Sequence, residues 1–89
     1  RVAVGGGACG DYIPQAIALG CDTFVTSDLK YHAFLDTKEL NLIDAGHFPT
    51  ENVVCPVVAK RLETAFPALD VTLTKVHDRE VIQYCTKEN

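Results

Sequence analysis

The sequence predicts an α/β fold, a βαβαβα run with parallel central strands followed by an antiparallel β-hairpin. Three observations predict it. Short, mostly apolar runs at residues 2–4, 23–26 and 42–44 are each followed by a helical pattern, as buried parallel strands are. Apolar residues then recur at four-residue steps from Val54 to Phe66, the period of an amphipathic helix. Finally, residues 71–74 alternate with period two, and a second strand-like run, 81–84, follows the polar His77-Asp78-Arg79-Glu80, as in a hairpin.

The elements follow in order. The first strand, Val2-Ala3-Val4, runs into a glycine-rich turn at residues 5–10. A helix is then expected from Asp11, a good N-cap type, through Ile13, Ala16 and Ile17 to Gly20, a good C′ residue. Pro14 fits its opening turn. After the second strand, Asp28 is expected to cap a helix that carries Leu29, Phe34 and Leu35 inward. The third strand leads to the clearest helix, with Val53, Val54, Val57, Val58, Leu62 and Phe66 on one face and Lys60, Arg61 and Glu63 on the other. It should end at Phe66, ahead of Pro67. There is no internal repeat and no linker, so residues 1–89 read as one domain.

Composition narrows the class. A chain of 89 residues buries only about 60 to 65% of its unfolded surface, so the core is expected to be thin. With 47% apolar residues it should nevertheless fold rather than stay disordered. A net charge of -4, with both signs interleaved, disfavours a nucleic-acid groove or an anionic membrane as partner. No apolar run approaches the roughly 18 residues of a membrane span and no leader pattern precedes a cleavage site, so a cytoplasmic protein is expected. Cys9, Cys21, Cys55 and Cys85 form no Cys-x-x-Cys pair and read as free buried thiols. The chain has no methionine and opens at Arg1 directly on a strand, which reads as a segment of a longer α/β polypeptide. An incomplete site is the corollary.

Three loops carry candidate chemistry, and each has a plainer reading beside it. Gly5-Gly6-Gly7-Ala8-Cys9-Gly10 matches G-x-G-x-x-G between a strand and a helix, with Asp28 following 18 residues beyond Gly10, as in a dinucleotide-binding turn. A tight turn or a substrate-facing loop through Gly7 needs the same glycines. Thr26-Ser27-Asp28-Leu29-Lys30-Tyr31-His32 places Asp28 and His32 four residues apart, on one face if a helix begins at Asp28. The plainer reading makes Asp28 a cap and His32 an exposed imidazole. In Asp44-Ala45-Gly46-His47-Phe48-Pro49-Thr50-Glu51, imidazole and carboxylate stand at i and i+4, a donor set suited to zinc, manganese or iron. Alternatively Thr50 caps the helix and Glu51 answers its dipole. All three loops follow successive strands, so a parallel sheet brings them to one edge and one site. His77 stays outside it.

At these residues the chain resembles the carboxy-terminal half of the Nif-three-like family of dinuclear-metal proteins, often called GTP cyclohydrolase I type 2. The resemblance rests on Val2-Ala3-Val4-Gly5-Gly6-Gly7, then residues 26–32, then residues 43–51, and covers nearly the whole chain. It implies that His47 and Glu51 are metal ligands, completed by a histidine pair and an aspartate from an amino-terminal half. It implies two divalent ions per full-length subunit, zinc first, with manganese or iron as alternatives, and a homo-hexamer whose metal sites face an internal cavity. Asp28 and Gly7 would then meet substrate, and His32 would transfer protons in a metal-dependent hydrolase. Ser27 stands where glycine is common, and Phe48-Pro49 replaces a tyrosine and a small residue; neither change removes a ligand. Two rival functions remain: a non-catalytic, metal-containing scaffold, and a dinucleotide-binding module built on Gly5, Gly7 and Gly10.

Overall fold

The computed structural model describes residues 1–85. Its elements are β1 (Val2–Val4), a 3-10 turn (Gly10–Tyr12), α1 (Ile13–Ala18), β2 (Thr23–Thr26), α2 (Tyr31–Asp36), β3 (Asn41–Asp44), α3 (His47–Glu51) and α4 (Val54–Ala65). They fall into two compact units, Arg1–Glu51 and the chain from Asn52 onward.

In the first unit the strands form one parallel sheet in the order β1-β2-β3. Val2 lies opposite Thr23 and Val4 opposite Val25, while Thr23 to Thr26 pair with Asn41 to Asp44. Because the strands run in register, Val4, Thr26 and Asp44 end at one edge, where α/β sheets bind ligands. The core beneath is small: Ala16, Phe24 and Leu40, with Ala3, Cys9, Ile13, Ile17, Cys21 and Leu42 packed against them.

The helices differ from the sequence expectations at their starts. Asp11 is not an N-cap, because the Tyr12 amide donates to the Cys9 carbonyl and opens a 3-10 turn that contains Asp11. The helix proper starts at Ile13, with Pro14 in its first turn, and Gly20 closes it at φ +73°. Nor does Asp28 cap α2. Lys30 is extended and precedes Tyr31, so Asp28 lies outside the helix and does not share a helical face with His32. Phe34 and Leu35 remain 44% and 48% exposed rather than turning inward.

In the second unit α4 ends with Phe66 as its C-cap, as the apolar repeat indicates. The expected antiparallel hairpin is absent: no strand forms over residues 71–85. Two local effects oppose it. The Glu80 carboxylate accepts from the Val81 and Ile82 amides, and Thr74 Oγ1 accepts from the Val76 amide, so side chains take donors that a ladder needs. An isolated hairpin also needs an apolar face to pack on, and Leu73, Val81 and Ile82 are 48%, 82% and 58% exposed. His77, in this segment, adopts φ +62°.

The thiols are free, but only Cys9 and Cys21 are partly buried; Cys55 and Cys85 are exposed. Cys55 sits one residue into α4, outside the apolar repeat. Among the described residues, no helix is long and apolar enough to cross a membrane.

Candidate functional site

The site forms where the loops after β1, β2 and β3 meet. Gly7, in the first loop, adopts φ +71°, a conformation that favours glycine. Its backbone is held from both sides. The Gly7 amide donates to Thr50 Oγ1 at 2.8 Å, and its carbonyl accepts from Thr26 Oγ1 at 2.8 Å and from the Ser27 amide at 3.0 Å. The loop is thereby pressed against α3. A Cβ at Gly7 would sit 2.5 Å from Glu51 Oε2 and 3.1 Å from His47 Nε2.

His47 occupies the centre. Its Nδ1 lies 2.7 Å from Asp28 Oδ2, and its Nε2 lies 3.3 Å from Glu51 Oε1 within the single turn of α3. A carboxylate can only accept, so Nδ1 must carry a proton toward Asp28. The ring's other nitrogen then faces Glu51. Asp28 reaches it from the β2–α2 loop in a left-handed conformation, φ +54°, that aspartate tolerates better than most side chains.

This environment raises the pKa of His47, first through the hydrogen bond to Asp28 and then through the charges of Glu51 and Asp28, with desolvation opposing. The folded value lies above the ordinary imidazole value near 6.5. The two carboxylates therefore stabilise the fold fully below that ordinary value, and their contribution fades as pH rises through the raised one. An NMR titration of metal-free protein should show a His47 midpoint above that of a free imidazole, and Asp28→Asn should bring it down. A midpoint unmoved by that substitution would contradict the assigned hydrogen bond.

The remaining candidates take distinct places. Among the described residues no hydrogen bond or ion pair joins His32 to His47; His32 packs edge-on to Tyr31, ring centres 5.5 Å apart. It lines a cavity of about 330 Å³ together with Asp28, Asp11, Lys30, Gly10 and Leu29. Asp28 is thus shared between His47 and this cavity. Sequence reasoning gave no role to Asp44, yet its two carboxylate oxygens accept from the Leu29 and Gly46 amides, each at 3.1 Å. Aspartate at a strand's carboxyl end, one residue before the Ala45-Gly46 turn, was the available signal.

Thr26 and Ser27 are fully buried, and Ser27 Oγ has no hydrogen-bond partner. An unsatisfied buried hydroxyl costs stability. Ser27→Ala should therefore raise the unfolding free energy by about 1 kcal/mol, seen as a higher denaturant midpoint. A lower midpoint would show that the hydroxyl is satisfied in solution.

A phosphate cradle could use only part of the glycine-rich loop. Such a cradle requires free amides, whereas the Gly5 amide donates to Val25 O, Gly7 to Thr50 Oγ1 and Cys9 to Thr26 Oγ1. Those three amides are not available to a phosphate. The glycines instead let the loop approach α3, Gly6 against the Thr50 carbonyl and Gly7 against the His47–Glu51 pair.

As a metal site the pair is well spaced and incomplete. Two donors on one tetrahedral zinc, each about 2.0–2.2 Å from it, stand roughly 3.4 Å apart, and the Nε2–Oε1 distance of 3.3 Å fits. Asp28 meets the opposite ring nitrogen and so is not a third donor. Among the described residues, no set of three His, Cys, Asp or Glu is placed to hold a metal.

Comparison with known proteins bears on this arrangement. Residues 1–80 match the family model described as Duf34/NIF3 (NGG1p interacting factor 3). A Nostoc sp. protein named GTP cyclohydrolase 1 type 2 homolog is 38% identical over 66 residues, covering 72% of this chain and 25% of the relative. A Clostridium perfringens protein of the same name is 34% identical over 82 residues, covering 90% and 30%. The crystal structure of a Staphylococcus aureus hypothetical protein superposes with a TM-score of 0.80 at 34% identity, covering 96% of this chain and 30% of that one. The chain spans about a quarter to a third of the length of these relatives.

Proposed function

We propose, because this chain belongs to the Duf34/NIF3 family, that in the full-length protein His47 and Glu51 are ligands of a two-metal centre serving a metal-dependent hydrolase. The observation that carries the reading is the presentation of His47 Nε2 and Glu51 Oε1 side by side, 3.3 Å apart, on a floor that glycine keeps clear. A zinc site needs about four donors, so this pair supplies half of one, and the rest come from other parts of the full-length protein. Two divalent ions per subunit, zinc before manganese or iron, and a cytoplasmic homo-hexamer belong to the same reading.

Bound there, a divalent ion supplies a Lewis acid that acidifies water and polarises a phosphoryl or amide-like group. The chain's own residues do the rest. Asp28 holds the proton at His47 Nδ1 and so leaves Nε2 free to donate its lone pair. Gly7 keeps bulk away from the ligand atoms. His32 lines the adjoining cavity, where an unpaired imidazole can accept a proton from one group and return it to another. Asp28 borders the same cavity, and a substrate of modest size would lie there, against His32 and Asp28.

Elemental analysis of the full-length protein tests the reading. Wild type should carry bound metal, and His47→Ala and Glu51→Ala should each lose it; unchanged stoichiometry in both sinks the proposal.

A further inference from the structure

Asp44 joins the two loops that carry the Asp28–His47 pair. Its Oδ2 accepts from the amide of Leu29, the residue after Asp28, and its Oδ1 accepts from the amide of Gly46, the residue before His47. Each half of the pair is therefore tethered, one residue away, to the same carboxylate at the end of β3. The arrangement is reinforced by the Ala45 amide, which donates to the Thr26 carbonyl at 2.8 Å. Asp28 itself holds a left-handed conformation, φ +54°. For a residue other than glycine such a conformation costs free energy that its surroundings must offset.

We propose that Asp44 is a positioning residue, which by clamping the Leu29 and Gly46 amides holds Asp28 on His47 Nδ1 and so fixes the tautomer whose Nε2 lone pair faces Glu51. The inference rests on the metal-binding reading of His47 and Glu51 and deepens it. The chemistry is direct. Neutral imidazole carries one proton, and a metal can bind only the nitrogen without it. With Asp28 in place the proton stays on Nδ1. Without it, Nε2–H is available, and Glu51, 3.3 Å away, is a ready acceptor for that proton. Loss of the clamp thus turns the ligand nitrogen into a donor to Glu51, and both ligands are compromised together. Carboxylate partners of ligating histidines act in this way in other metal sites, and their loss typically weakens metal binding by about 10- to 100-fold.

A double-mutant cycle in the full-length protein tests the proposal, with Asp44→Asn, Asp28→Asn and the pair combined. Asp44→Asn keeps the shape but leaves only one oxygen to accept, so one of the two amides loses its partner. In metal-free protein, at a pH above the His47 midpoint, nitrogen chemical shifts of His47 should report the Nδ1–H tautomer in wild type and a rise in the Nε2–H form in each single variant. Zinc affinity, measured by competition with a chelator, should fall about tenfold or more in each. The double variant should lose no more than Asp28→Asn alone, because Asp44 acts through Asp28. Additive losses, or an Asp44→Asn protein with the wild-type tautomer and affinity, overturn the proposal. If Asp44→Asn does not fold, Asp44→Ser, which keeps one acceptor, replaces it in the cycle. Abolition of binding by His47→Ala, with no effect of the Asp44 variants, would leave the metal site standing and remove only this inference. Retention of metal by His47→Ala would remove the metal reading itself.

Discussion

Replacing His47 by alanine should weaken zinc binding to the full-length protein by about a hundredfold or more, whereas His32→Ala should leave metal content intact. The magnitude follows from the binding energy of a four-donor site. Zinc sites of this kind are worth about 10–16 kcal/mol, or roughly 3 kcal/mol for each donor, which is about a hundredfold in affinity. His32 differs because it lines the adjoining cavity, whose lining includes neither His47 nor Glu51. If it transfers protons, His32→Ala should lower turnover by about 10²–10⁴ with the metals in place. Chelator competition for affinity and elemental analysis for content separate the two histidines. Equal metal loss in both variants would contradict the geometry, and turnover that survives His47→Ala would favour a scaffold over an enzyme.

The parts of this fold that sequence makes legible are those set by local pattern over several residues. The three strands and the helix ending at Phe66 are within a residue or so of their expected positions, because apolar runs and four-residue repeats report burial directly. The helix starts were not legible. Asp11 and Asp28 both have the right side chain for a cap, yet Asp11 is drawn into a 3-10 turn and Asp28 is drawn to His47. A partner 19 residues away competes with the local backbone, and no local pattern reports it. The hairpin failed for a related reason: alternation at residues 71–74 is a statement about faces, and among the described residues this segment pairs with no strand. Glu80 and Thr74 then take the amides.

The site was legible in outline and not in its wiring. Parallel strands oblige the three loops to share an edge, so the meeting of Gly7, Asp28, His47 and Glu51 follows from topology. The i, i+4 spacing of His47 and Glu51 also carried through, since α3 spans those two residues. What spacing could not say is that Asp28 addresses His47 rather than His32, or that Asp44 joins both loops. Those are properties of side-chain direction, which depends on two left-handed residues and a carboxylate bridging two loops.

Gly7→Ala should cause the second large loss, and the outcome decides what the glycine-rich loop is for. A methyl at Gly7 meets two penalties at once. The left-handed backbone costs a non-glycine residue about 1–2 kcal/mol, and the new Cβ falls 2.5 Å from Glu51 Oε2 and 3.1 Å from His47 Nε2. The loop cannot retreat without breaking the three hydrogen bonds that hold Gly7 to Thr50, Thr26 and Ser27. The Glu51 side chain must therefore turn away, and its carboxylate separates from His47 Nε2. A drop of about 2–4 kcal/mol in unfolding free energy is expected, together with loss of zinc affinity comparable to that of Glu51→Ala. Gly10→Ala is the control, because a Cβ there meets only Leu29 Cδ2 at 3.4 Å, and it should be nearly neutral in both measurements. A nucleotide-binding loop predicts another pattern. It needs Gly10 for close packing of helix on strand as much as it needs Gly7, and its variants would lose nucleotide rather than zinc. Denaturant unfolding and zinc competition on the two variants thus distinguish a loop that shapes a metal ligand pair from one that receives a phosphate.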